Sequence, residues 1–168
     1  MNKIRIRHGA AMRAVELFAG AGGLGIGLSQ AGFQPVEVVE RDRWCCATIR
    51  ANQVRKIDAV ASWPPPSEVD VRSLDYSKYN GQIDLISGGP PCQPFSLGGK
   101  HRANDDERDM WSEAVRAVRE TCPPAFIFEN VKGLTRETFA AYLSYITLQL
   151  SYPDVAPRND EGSVRIRC

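Results

Sequence analysis

Val15-Glu16-Leu17-Phe18-Ala19-Gly20-Ala21-Gly22-Gly23-Leu24 is an apolar run that dissolves into glycines and resumes as small apolar residues. Its first half reads as a strand leaving a sheet. The glycines let the backbone turn sharply and come close to a ligand. From about Leu24 to Ala31 the composition is that of a small-residue helix, whose amino end faces the turn. Two nucleotide signatures are missing. The string is out of register with G-x-G-x-x-G, and no G-K-[ST] follows, which argues against a triphosphate loop and does not require a pyrophosphate. The plainer alternative is a glycine turn that serves only tight packing of helix on strand.

Working outward, Val36-Glu37-Val38-Val39-Glu40 reads as a second strand, with Trp44, Thr48 and Ala51 at helical spacing behind it. Glu40 ends that strand about 20 residues after the glycines, where an acid can accept from both hydroxyls of a ribose. A short third strand is predicted at Val69-Asp70-Val71, after the breaker Trp63-Pro64-Pro65-Pro66. Ile83 to Ser87 supplies a fourth, and Ala125 to Phe128 a fifth that ends at Glu129-Asn130. Trp111, Ala114, Val115 and Val118 fall on one helical stripe. Phe139, Tyr142, Leu143, Ile146 and Leu150 form another, with Thr135 as the predicted cap. Strands alternating with helices predict a doubly wound, mostly parallel α/β sheet of the Rossmann-like kind, with its site at the carboxyl ends of the strands. Gly20 to Gly23, Glu40, Asp70, Cys92 and Glu129 all fall there. The chain divides into a basic arm (residues 1–13), a core (14–150) and an irregular tail or truncated insertion (151–168).

The fourth strand runs into Gly88-Gly89-Pro90-Pro91-Cys92-Gln93-Pro94-Phe95-Ser96. Prolines on both sides of a thiol fix φ and remove backbone donors, which positions the residue between them. A thiolate there suits conjugate addition, and a carboxyl such as Glu129, in a partly dry setting, suits proton donation to the atom that becomes electron-rich. Singly, Cys92 reads as a core cysteine at a strand exit and Glu129 as an acid paired with Lys132. The chain has 168 residues, 43% of them hydrophobic, enough for one domain with a real core. A net charge of +1 excludes a histone-like electrostatic binder. Five cysteines without a C-x-x-C pair, and only two histidines, argue against a disulfide framework or a metal site and for a reducing, cytoplasmic setting. No stretch is long and apolar enough for a signal peptide or a membrane span.

Val15 to Gly27, Gly88 to Ser96 and Phe128-Glu129-Asn130-Val131 together resemble motifs one, four and six of the DNA cytosine-5 methyltransferases, in order and spacing, over about residues 14–150. The resemblance implies a Rossmann-like methyltransferase fold, S-adenosyl-L-methionine as methyl donor and double-stranded DNA as substrate, within a bacterial restriction-modification system. It implies that Phe18, Gly20, Gly22, Gly23, Leu24 and Pro90 border the S-adenosylmethionine site, that Glu40 holds the ribose, and that Asp70 and Val71 contact the adenine. Cys92 is then the nucleophile toward carbon 6 of a flipped cytosine. Glu129 bonds ring nitrogen 3 and the exocyclic amine, and Asn130 fixes the cysteine loop. Gln93, Ser96, Lys100 and Arg102 would face the nucleic acid, from a segment whose glycines and cations suit a lid over phosphates.

The family's later arginine motif, Q-x-R-x-R, has no match beyond the glutamine-less Val164-Arg165-Ile166-Arg167, and its base-reading region is absent. Arg41 stands where the family usually has an aromatic against the adenine. A complementing carboxyl-terminal polypeptide is therefore an expected partner. Three alternatives stay open: a tRNA cytosine methyltransferase of the same fold, an inactive fragment that binds S-adenosylmethionine or DNA, and a Rossmann-like oxidoreductase.

Overall fold

The computed structural model describes residues 11–91 and 110–153. Five strands, β1 (Met12–Leu17), β2 (Phe33–Glu40), β3 (Ser67–Glu68), β4 (Leu85–Gly88) and β5 (Ala125–Phe128), form one sheet in the order β3-β2-β1-β4-β5. Every pairing is parallel. The helices are α1 (Gly23–Gln30), α2 (Arg43–Val54), α3 (Asp58–Ala61), α4 (Trp111–Thr121) and α5 (Ala140–Ser151). This is the doubly wound parallel sheet that the alternation of strands and helices predicts.

Parallel strands covered on both faces must be apolar throughout, and β4 is buried at all four positions. On one face Ala14 and Leu85 pack against Leu28 of α1. Beside them Val38 meets Ile49, Val60 and Trp63. On the other face Val15, Leu17, Val39 and Ile86 close over Ala117 and Val118 of α4, with Tyr76 and Ile83. Each such side chain contributes roughly 1.5–3 kcal/mol by leaving water. The Trp111 stripe is buried, and its first turn meets Phe139 and Ile146 of the last stripe.

Four sequence expectations are corrected. The third strand is Ser67–Glu68, and Val71–Ser73 is a 3-10 turn instead of strand. Asp70 is the cause: its carboxylate accepts from the Arg72 N–H at 2.9 Å, and such a local bond draws the backbone out of the ladder. Thr135 does not cap the last helix. It closes a 3-10 turn, Lys132–Thr135, by donating to the Lys132 carbonyl at 2.9 Å, and α5 begins five residues later without a side-chain cap. Glu129 is exposed. It follows β5, the edge of the sheet, where Phe126 and Ile127 are themselves 39% and 45% exposed, so nothing described dries its surroundings. Cys45 and Cys46 are free thiols and Cys122 is disulfide-bonded, a cross-link that the reading of the chain as reduced did not foresee. Among the described residues no helix is long and apolar enough to cross a membrane.

Candidate functional site

The strand order reverses between β1 and β4, and in open parallel sheets ligands bind at such a switch point, outside the carboxyl ends of the strands. A cleft of about 360 Å³ lies along that edge, lined by Phe18, Val39, Glu40, Arg41, Val69, Asp70, Val71, Gly89, Pro91 and Met110. Its walls come from the exits of four parallel strands, β1 to β4, so a continuous hydrogen-bonded frame holds them.

Phe18 turns out of β1 with φ of 52°, a left-handed conformation that costs a non-glycine residue on the order of 1–3 kcal/mol. Its ring is repaid by packing against both apolar clusters on the α4 side. The turn it opens is pinned to β2: Ala19 N–H donates to the Val39 carbonyl at 3.1 Å, and Gly20 N–H to Glu40 Oε2 at 2.8 Å. Glu40 Oε1 accepts from the Asp42 N–H at 2.7 Å. One carboxylate thereby joins the loops after β1 and β2, and each oxygen keeps a lone pair for a ligand hydroxyl. Across the cleft, Asp70 accepts from the Arg72 guanidinium at 2.7 and 3.0 Å and from Arg41 at 3.5 Å. The Arg72 bonds foremost, with Arg41 adding to them, hold the Asp70 carboxyl well below the usual carboxylate range. Arg116 of α4 anchors that wall from behind, donating to the Val71 carbonyl at 2.9 Å and the Leu74 carbonyl at 3.0 Å.

The glycines divide by what surrounds them. Gly22, at φ 92°, would direct a Cβ to 3.0 Å from Trp63, so the fold itself requires glycine there. A Cβ on Gly20 or Gly23 would meet nothing within 4 Å. Gly23 also has no positive φ, so neither packing nor backbone strain accounts for it. The cleft's size falls in the range of small-molecule sites, roughly 300–1,000 Å³, and an apolar wall facing an acid suits a nucleoside. The residues therefore fit S-adenosylmethionine.

The fourth wall is the strand exit that leads to the cysteine. Gly88 approaches β1 so closely that a Cβ would sit 2.4 Å from the Leu17 carbonyl oxygen. Pro90 is buried, and its carbonyl accepts from the Asn130 Nδ2 at 2.9 Å. That bond ties the segment after β5 to the segment after β4. Glu129 N–H donates to the Gly88 carbonyl at 2.9 Å. Its Oε2 lies 3.5 Å from where a Cβ of Gly89 would stand, directly behind the cleft wall. Cys92, Gln93, Ser96, Lys100 and Arg102 lie outside the described residues.

Of the predicted cofactor residues, Phe18, Glu40, Asp70 and Val71 line the cleft. Gly20, Gly22 and Gly23 form the turn beside it. Leu24 packs instead toward Ala14, Leu28 and Leu85. Arg41, Val69 and Met110 line the cleft without having been singled out as cofactor residues. Arg41 was legible as the residue after the strand-ending acid; Met110 carries no local signal. Trp44 is 67% exposed, with the Arg43 guanidinium 4.5 Å from its ring centroid, and is not part of the lining.

A parallel sheet in this order, with a nucleoside-sized cleft at its switch point and an acid ending its second strand, defines a Rossmann-like α/β protein. Residues 12–152 match the family model of the C-5 cytosine-specific DNA methylases. The chain belongs to that family. It is 45% identical over 133 residues to the Type II methyltransferase M.PspPI of Psychrobacter sp., covering 79% of this chain and 30% of that protein. It is 42% identical to M.NgoMIV of Neisseria gonorrhoeae, covering 82% of this chain and 41% of the relative. M.AquIA of Picosynechococcus is 40% identical, with 84% and 57% covered. Among solved structures, one described as a DNA modification methyltransferase encoded within an E. coli prophage superposes with a TM-score of 0.63 at 31% identity, covering 83% of this chain and 38% of that one. The chain thus spans between 30% and 57% of the length of these curated relatives.

Proposed function

We propose that this chain carries the cofactor cleft, the nucleophile and the acid of an enzyme that methylates carbon 5 of cytosine in DNA. The observation that supports it most directly is the convergence on one cleft of the Glu40-pinned glycine turn and the strand exit leading to Cys92. Glu40, Phe18, Asp70 and Val71 would hold S-adenosylmethionine, which when bound supplies an electrophilic methyl group on a sulfonium. Carbon 5 of cytosine is a weak nucleophile inside an aromatic ring. Addition of the Cys92 thiolate to carbon 6, with Glu129 giving a proton at ring nitrogen 3, makes carbon 5 electron-rich. After methyl transfer, loss of the carbon-5 proton returns the electron pair to the ring and expels the thiolate, and the proton on ring nitrogen 3 goes back to Glu129. The target must leave the base stack to be reached. Asn130 holds the Pro90 carbonyl and thereby the approach of the Cys92 loop.

Relatives named as Type II methyltransferases support DNA as the substrate and restriction-modification as the setting. Their greater length supports a further polypeptide region that holds the duplex. The test supplies that region in trans from one of the longer relatives, with labelled S-adenosylmethionine and either duplex DNA or tRNA. Label at carbon 5 of cytosine in the duplex is expected. Label confined to tRNA would replace DNA by RNA as the substrate, and NAD binding in place of S-adenosylmethionine would refute the reading altogether.

A further inference from the structure

In the interior of β1 a carboxyl group is sealed within the protein. Glu16 is 1% exposed; its Oε1 accepts from the Gly25 N–H at 2.8 Å, and its Oε2 has no partner among the described residues. Across the β1–β4 pairing its register partner is Ser87, 0% exposed, whose Oγ is likewise without a partner among them. Register neighbours in a parallel pair share a face, so two incompletely satisfied polar groups stand side by side beneath α1. Such groups are costly to bury and call for a reason. Neither lines the cleft or enters the proposed reaction.

Their position supplies the reason. β1 runs from Glu16 through Phe18 into the glycine turn, and β4 runs from Ser87 into Gly89, Pro90 and the cysteine loop. The start of α1 has no side-chain cap and no acid in its first turn. Glu16 supplies from the strand below the acceptor that a capping residue would supply from within the helix. Gly25 exists to admit it: a Cβ there would lie 1.9 Å from Glu16 Oε2 and 2.7 Å from Trp63.

We propose that Glu16 is a positioning residue of the cofactor site: with Ser87 beside it under the switch point, it fastens the start of α1 to the sheet and so sets the glycine turn that borders the cleft. The inference rests on the reading of that cleft as the S-adenosylmethionine site. Burial pushes the Glu16 carboxyl up to about 7, against the smaller opposing effect of the Gly25 bond. Among the described residues no ionisable side chain faces it, since α1 and β4 contain none, its β2 register partner is Val38, and Trp63 is neutral. The neutral carboxyl keeps an oxygen for Gly25 and gains an O–H that can reach Ser87 Oγ through one water. The ionised form leaves a buried charge with one bond, and local opening of α1 then competes with ligand binding.

The test is calorimetry of S-adenosylmethionine binding between pH 5.5 and 8.5, with amide hydrogen exchange over residues 18–30. The parent is expected to lose affinity several-fold as pH rises through 7. Glu16→Gln, which keeps the hydrogen bond without a titrating charge, is expected to hold its affinity across that range. Glu16→Leu is expected to bind about tenfold more weakly at every pH and to exchange the Gly25 amide faster. Glu40→Ala is expected to weaken binding at every pH while keeping the parent's pH step and its Gly25 protection, so it reports on the cleft separately. The same pH profile in Glu16→Gln as in the parent, or unchanged Gly25 protection in Glu16→Leu, would overturn the proposal. Should the parent bind no S-adenosylmethionine, the cofactor reading falls and the proposal with it, whatever the exchange shows of α1.

Discussion

Both oxygens of Glu40 are engaged by backbone N–H groups, at 2.8 Å from Gly20 and 2.7 Å from Asp42. Replacing this side chain therefore removes the ligand's acceptor and loosens the turn at once. Glu40→Ala is expected to weaken S-adenosylmethionine binding by about 1.5–3 kcal/mol, the range for hydrogen bonds to a charged group, as read by calorimetry. Glu16 makes a prediction about stability. In the unfolded chain its carboxyl ionises near 4.5, and in the folded protein burial raises this to about 7. Between those values the folded state holds a proton that the unfolded state has released. Its contribution to stability is therefore fully present below 4.5, declines as pH rises, and is lost above 7. The decline amounts to about 3 kcal/mol. Urea unfolding at several pH values should show it in the parent and not in Glu16→Gln; parallel curves for the two would contradict the assignment.

At the scale of elements, the glycines of the β1–α1 unit separate packing from binding. Gly25→Ala is expected to destabilise the fold by several kcal/mol, because its Cβ would lie 1.9 Å from Glu16 Oε2 and neither Trp63 nor the strand can retreat. Gly23→Ala meets open space, so thermal unfolding should be unchanged or slightly improved while S-adenosylmethionine affinity falls. Equal affinity in Gly23→Ala and the parent would leave that glycine without a ligand to explain it. The parallel order and the stripes of α4 and α5 were readable because their period is local. Glu40 at the floor of the cleft was readable because strand-end position is a sequence property. Asp70 as the cause of a turn was not, since its effect depends on which N–H it reaches. Glu129 misled because the run before it is apolar, and only the topology makes β5 an edge. Arg116, which anchors the Asp70 wall across about 45 residues of chain, leaves no local trace.

At the scale of the whole molecule, the described residues leave an apolar surface exposed. β5 consists of Ala-Phe-Ile-Phe, a composition suited to a central strand, yet it lies at the edge of the sheet. Leu148 and Tyr145 of α5 are 58% and 49% exposed. Exposed apolar edges associate. The chain alone should show concentration-dependent association in sedimentation, and a net charge of +1 gives it little non-specific hold on DNA. It is therefore expected not to methylate DNA unaided. The most direct test of the account is covalent trapping. The chain, the carboxyl-terminal region of a longer relative, S-adenosylmethionine and a duplex carrying 5-fluorocytosine are combined, and the protein is resolved under denaturing conditions. The account predicts a protein–DNA adduct that maps to Cys92 and vanishes in Cys92→Ala; an adduct that persists in Cys92→Ala, or methylation by that variant, would contradict it.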